Sequence, residues 1–194
     1  MKKLFLIISL ITIFVACNHS QDKKNVIARY ATGRERIVLE YKDPADSSTY
    51  TYNEYFVNGR LRTKADFVKN IKTGMQNYYR QNGTLSASIT YSENGKCEYR
   101  KEICENGKTS FEGKFEDGLF QGKMKWYYCS GVIRKQGNKV DGKENGHWVS
   151  YFENGKIEEE GDYYYGIKTG LWKTYDSSGK LINQELQQKI RKPN

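Results

Sequence analysis

Two stretches, GHWVSYFENGK (Gly146–Lys156) and GLWKTYDSSGK (Gly170–Lys180), share one pattern: Gly-x-Trp-x-x-Tyr, then a turn ending in Gly-Lys. The pattern is not confined to them. Gly59, Gly83, Gly107, Gly131, Gly155 and Gly179 recur at a constant step of 24 residues. In the same register stand Gly74, Gly122, Gly146 and Gly170, interrupted by Glu98, and two shorter columns, Gly113, Gly137, Gly161 and Gly118, Gly142, Gly166. Tyr55, Tyr79, Tyr127, Tyr151 and Tyr175 form a further column, interrupted by Ile103. Self-similarity at a fixed period of this length is the mark of a stacked repeat.

Each unit reads as a β-hairpin. Asn-Gly and Ser-Gly between β-prone runs supply the positive φ that tight hairpin turns require. Beyond the turn the residues alternate: Leu85, Ala87, Ile89 and Tyr91 share one face and Thr84, Ser86, Ser88 and Thr90 the other. Thr109, Phe111, Gly113 and Phe115 repeat this, as do Leu61, Thr63, Ala65 and Phe67. Period two is that of a strand with one wet face. In GHWVSYF, Trp148 and Phe152 point one way while Val149 and Tyr151 point the other, so this strand is expected to be covered on both sides or to line a groove. Consecutive hairpins are read as joined by Gly-x-x-x-Gly links such as GLFQG, GKENG and GIKTG. Only LINQELQQKIRK, at the end, has a helical pattern. The expected fold is all-β: an elongated, meandering antiparallel sheet of about five 24-residue hairpins. At about 10 Å per hairpin it would be on the order of 50 Å long.

The first residues carry a different signal. Lys2 and Lys3 precede an apolar run, Leu4 to Val15, too short to span a bilayer as a helix but proportioned like a secretory leader. It ends in Phe14-Val15-Ala16-Cys17, which resembles a bacterial lipobox, with Phe14 where leucine is usual. The resemblance implies cleavage before Cys17, acylation of Cys17 and a lipid anchor. Asn18 after the cysteine implies the outer membrane by Gram-negative sorting rules. The expected divisions are a lipoprotein signal over 1–16, a flexible tether over 17–25, capping strands over 26–54, the repeat array over 55–183 and a tail over 184–194.

The 194 residues are polar, with mean hydropathy −0.83, yet include 16 Tyr, 8 Phe and 3 Trp, so aromatics must carry much of the packing. Loss of Lys2 and Lys3 with the leader takes the net charge from +9 to +7. The excess is concentrated between Gly59 and Ser130 and is interspersed with acids, which suits a solvated surface or an acidic protein partner better than a nucleic-acid stripe.

No catalytic constellation, metal site or cofactor motif is present, and the chain is read as a non-enzyme. His147 occupies a variable repeat position, and the other histidine, His19, falls in the tether. Glu158, Glu159 and Glu160 with Asp162 could pair as glycosidase carboxylates only on one face, but consecutive strand residues alternate. The cysteines beyond Cys17 are Cys97, Cys104 and Cys129. Alternation places Cys104 and Cys129 on opposite faces of strands about 10 Å apart, beyond disulfide reach. Free thiols are therefore expected, with Cys97–Cys104 as the alternative pair.

The glycine and aromatic columns resemble the bacterial variant of the MORN repeat, roughly Gly-x-Trp-x-x-Tyr-Tyr-x-Asn-Gly-Lys-Leu. GHWVSYFENGKI and GLWKTYDSSGKL match it best, followed by GKMKWYYCSGVI and GMQNYYRQNGTL. The resemblance runs from about Tyr55 to Ile182 and lapses at Glu98, Ile103 and Cys104. It assigns Tyr55, Tyr79, Trp126, Tyr127, Trp148, Tyr151, Trp172 and Tyr175 to the repeat aromatics. It implies a protein-binding module or envelope scaffold, of antitoxin or immunity type. The Gly-Trp-x-x-Tyr phrase is also similar to choline-binding cell-wall repeats, which implies a glycan or cell-wall ligand as the alternative. Contact with a lipid surface through lysine and arginine, proposed for MORN proteins, ranks last.

Overall fold

A computed structural model describes residues 23–187; the leader, Cys17 and most of the tether, and the tail beyond Gln187 lie outside the described residues. Fourteen strands follow one another: β1 (Lys23–Arg29), β2 (Glu35–Tyr41), β3 (Tyr50–Tyr55), β4 (Leu61–Val68), β5 (Ile71–Tyr79), β6 (Leu85–Tyr91), β7 (Cys97–Ile103), β8 (Thr109–Glu116), β9 (Leu119–Tyr127), β10 (Ile133–Val140), β11 (Lys143–Tyr151), β12 (Ile157–Tyr164), β13 (Ile167–Tyr175) and β14 (Leu181–Gln187). They form a single sheet in chain order, every strand antiparallel to its neighbours. This is the expected meander. The strands over 26–54 extend the same sheet, and β1 begins at Lys23, inside the stretch read as tether.

The turn glycines Gly59, Gly83, Gly107, Gly131, Gly155 and Gly179 all have φ between 83° and 97°. Each closes a three-residue loop. The Gly59 N–H donates to the Phe56 carbonyl, and the Phe56 N–H to the Arg60 carbonyl, a pattern repeated at every turn on this edge. It is a type I turn followed by a left-handed glycine. The asparagine before the glycine has two tasks. Asn154 Oδ1 accepts from the Lys156 N–H at 3.0 Å, and its Nδ2 donates to the Ser177 carbonyl of the next turn at 2.8 Å. Asn58 and Asn106 reach the Gln81 and Cys129 carbonyls in the same way.

The opposite edge corrects the expected linkers. Asp117-Gly118, Asp141-Gly142 and Tyr165-Gly166 are two-residue hairpin turns with both residues at positive φ. The next glycine of each supposed link, Gly122, Gly146 or Gly170, lies inside the following strand, also at positive φ. There the pairing jumps: Gln136 faces Val149 but Asn138 faces Asn145, so three residues of β11 oppose Gly137. The same bulge recurs between β4 and β5, β8 and β9, and β12 and β13. Bulges of this kind bend the strand and increase its twist. The described part of the stretch expected as helix, Leu181–Gln187, is instead edge strand β14, paired on its inner side with β13, and the rest of that stretch lies outside the described residues.

Candidate binding face

Residues directly paired across antiparallel strands share a face of the sheet. From Tyr52↔Ala65 and Gln76↔Ile89 through Arg100↔Gly113, Gly113↔Met124 and Trp148↔Gly161, the register traces one continuous side. It carries Phe111, Met124, Trp126, Trp148 and Trp172 and is called here the tryptophan face. Phe111, Met124 and Trp148 form its buried core, with Trp148 only 1% exposed.

A notch made by small residues explains how a single sheet buries an indole. A Cβ at Gly137 would lie closer than 3.0 Å to the Trp148 ring, and one at Gly161 would meet Trp172 in the same way. Neither glycine has positive φ, so the requirement is space alone. Trp148 Nε1 donates to the Asn138 carbonyl at 3.1 Å and Trp172 Nε1 to the Asp162 carbonyl at 3.2 Å. Lys135 lies 5.0 Å from the Trp148 ring centre and Lys168 3.8 Å from that of Trp172. Tyr163 stands edge-on between the two indoles, with centroids at 6.2 and 5.0 Å. Two lysines on this side are paired, Lys139 with Glu144 at 3.4 Å and Lys168 with Glu159 at 2.7 Å, while Lys135 and Lys72 lie over aromatic rings.

Tyr127, Tyr151 and Tyr175 belong to the other side, the tyrosine face, so the aromatics grouped by the repeat separate into two sets. Each reaches the strand before it: Tyr127 to Glu112 at 2.5 Å, Tyr151 to Gln136 at 2.8 Å and Tyr175 to Glu160 at 2.7 Å. Tyr99 donates to the other oxygen of Glu112 at 2.9 Å. The Tyr127 bond, opposed by partial burial and assisted by Tyr99, holds the Glu112 carboxyl below its usual range. Burial, followed by the bond to Glu112, pushes the Tyr99 phenol up to about 12. Tyr55 and Tyr79 hold the same repeat position in earlier units, and burial raises the Tyr55 phenol. The acidic run also divides: Glu159 is on the tryptophan face, while Glu160 and Asp162 flank His147 at 3.6 and 3.1 Å on the other.

On the tyrosine face Lys101, Glu112, Lys125, Gln136 and Val149 form one cross-strand row. Beside it, Lys114 pairs across from Tyr99 and Lys123 across from Asn138. Among the described residues none of these four lysines has an acidic partner within 4.0 Å, whereas Lys139 and Lys168 on the tryptophan face do. Alternation puts Val149 with Tyr151 in the sequence; that Lys101, Lys114, Lys123 and Lys125 would share that side without acidic partners was not legible there.

The cysteines overturn an expectation. Cys104 and Cys129 form a disulfide with Cα atoms 5.8 Å apart, and Cys97 is free. The 24-residue register stands, but strand alternation does not apply, because both cysteines are in turns. Successive turns on that edge lean together. Tyr30 and Tyr128 hydroxyls donate to the Tyr55 and Tyr151 carbonyls at 2.8 Å, and Arg80 bonds the Ile103 carbonyl. Cys104 occupies the position equivalent to Arg80 and Tyr128 and makes the same inter-turn tie covalently. Closing a loop of this length contributes about 3 kcal/mol.

Fold and faces together define an all-β hairpin-repeat protein with one self-packed face and one open, charged face. The MORN repeat variant family model matches residues 144–164 and 168–188, the β11–β12 and β13–β14 hairpins, and supports a MORN-repeat protein. No curated protein matches the chain. Among solved structures, the S. aureus TarM mutant in complex with Fondaparinux, alpha-GlcNAc-glycerol and UDP is 11% identical over 53% of this chain, with TM-score 0.36. A second TarM crystal structure is 13% identical over 52%, with TM-score 0.34. The chain spans 21% and 22% of the length of those two proteins.

Proposed function

We propose that this protein is a non-enzymatic, lipid-anchored protein-binding module of the bacterial cell envelope, of the antitoxin or immunity type. The observation that carries the reading is the division of labour between the faces. The tryptophan face commits Phe111, Met124, Trp148 and Trp172 to internal packing, whereas the tyrosine face leaves a cluster of lysines without acidic partners along adjacent strands. A row of equivalent positions on a repeat suits an extended polypeptide partner. The lipobox-like Cys17 supports an anchored state, and the Cys104–Cys129 disulfide suits an oxidising compartment outside the cytosol.

A choline- or sugar-binding cage would need indole faces open to a ligand. Trp148 and Trp172 are 1% and 5% exposed, each lying against a glycine with its N–H bonded to a backbone carbonyl. This favours a protein partner over a glycan. Affinity capture with in-cell cross-linking, run beside a glycan array, tests the choice: a discrete enriched protein is expected, and sugar binding without one would overturn it. Replacing Cys17 by serine should release the protein from membranes, and unchanged fractionation would refute the anchor.

A further inference from the structure

We propose that the tyrosine face over β7–β11 is a docking site for an acidic, extended polypeptide segment; the inference rests on the protein-binding reading and specifies the partner's chemistry. At its centre is a concavity of about 530 Å³ lined by Lys123, Lys125, Gln136, Asn138, His147 and Val149. Lys101 and Lys114 continue the positive surface onto β7 and β8. Four lysines across three adjacent strands keep their ammonium groups without an acidic partner within 4.0 Å among the described residues. The nearest carboxylate in the row, Glu112, is occupied by Tyr99 and Tyr127.

The arrangement selects a chain of charges over a single anion. Lys123 and Lys125 are two residues apart on one strand, about 7 Å, and Lys101 and Lys125 flank Glu112 about 10 Å apart. Lysines so spaced do not converge on one phosphate; they match carboxylates distributed along a strand or loop. Gln136 and Asn138 add amide groups able to donate to and accept from a peptide backbone, and Val149 gives an apolar patch in the floor. Recognition of acidic segments by clustered cations is an established binding mode, and its strength falls with salt. Beyond β11 the sign reverses, with Glu160 and Asp162 around His147, which sets an end to the acidic stretch the face would accept.

The test uses the full mature chain and a fluorescein-labelled oligo-glutamate peptide, followed by anisotropy. Oligo-glutamine of the same length, inorganic phosphate and phosphatidylglycerol vesicles are the comparison arms. Oligo-glutamate is expected to bind and oligo-glutamine not to, with affinity falling about tenfold as salt is raised from low to physiological strength. Lys123→Gln with Lys125→Gln should lower affinity about tenfold. Lys42→Gln with Lys69→Gln, the same charge change in exposed turns, should leave it within about twofold. If the first pair does not fold, judged by tryptophan fluorescence, Lys101→Gln with Lys114→Gln is expected to show the same loss. Equal loss in patch and control variants, absence of oligo-glutamate binding, or preference for phosphate or vesicles would overturn the site. A captured envelope protein alongside failed peptide binding sinks this inference and leaves the protein-binding reading intact; glycans without a protein sink both.

Discussion

The β10–β13 region and the β6–β7 hairpin occupy the same 24-residue register and solve it differently. In β10–β13, two-residue turns are followed by glycine bulges, and a tryptophan lies in a glycine notch: Trp148 over Gly137 and Trp172 over Gly161. In β6–β7, Glu98 replaces the bulge glycine, and the turn lengthens to the Ser92–Lys96 type found on the opposite edge. The pairing skips only Glu98. The longer turn takes up the residues that a bulge absorbs elsewhere, so the next strand starts in phase. Arg100 then holds the position of Trp148, between Ile89 and Gly113. Its guanidinium pairs with Glu102 at 2.6 Å, but its Nε is buried without a partner. The period therefore conserves chain length per unit, while the packing within a unit can be exchanged.

Five measurements would break or sharpen that contrast. Trp148→Ala removes the largest fully buried side chain and should cost about 3–5 kcal/mol in denaturant unfolding; a loss below about 1 kcal/mol would mean that the notch is not a core. Cys104→Ser should cost about 2–4 kcal/mol, equalled by reducing agent on the parent protein, because the tie between the β7–β8 and β9–β10 turns is lost.

Gly137→Ala should cost about 1–3 kcal/mol by driving a methyl group into the indole, and it should be close to neutral in a Trp148→Ala background. Additive losses in that double mutant would dissolve the proposed pair. The Glu112 carboxyl is lower in the folded than in the unfolded chain. Its contribution is thus complete above the unfolded value of about 4.3 and is lost as pH falls through the lower folded value. Glu112→Gln should flatten that acid limb in thermal melts, and an unchanged limb would remove Glu112 from the network. The smallest change is expected from Arg100→Met, which puts into β7 the residue that Met124 supplies in β9. It should stabilise by up to about 1 kcal/mol by removing the unpartnered Nε, and destabilisation would show that the middle unit depends on its arginine.

Much of this was legible in the primary structure. The column Gly59 to Gly179 predicts the turns, since few residues other than glycine accept positive φ readily. Alternation divides Trp148 from Tyr151 correctly between the faces. Period-two reasoning holds within strands only. Regular strand spacing and alternation give the wrong distance and faces for Cys104 and Cys129, which are in turns that lean together, and the Gly-x-x-x-Gly pattern reads as linkers where Gly122, Gly146 and Gly170 are bulges. The final strand was misread because LINQELQ has little pattern of its own and is held by pairing with β13.

The sequence by itself determined the repeat, its period, the turns and the alternation of side chains, because these depend on local backbone preference and on the two-residue repeat of a strand. Only the tertiary structure decided which glycines make room for indoles, which turns meet closely enough for a disulfide, and which lysines are left without partners. Those depend on distances between strands and turns across units, which bulges and twist set and which no spacing along the chain encodes.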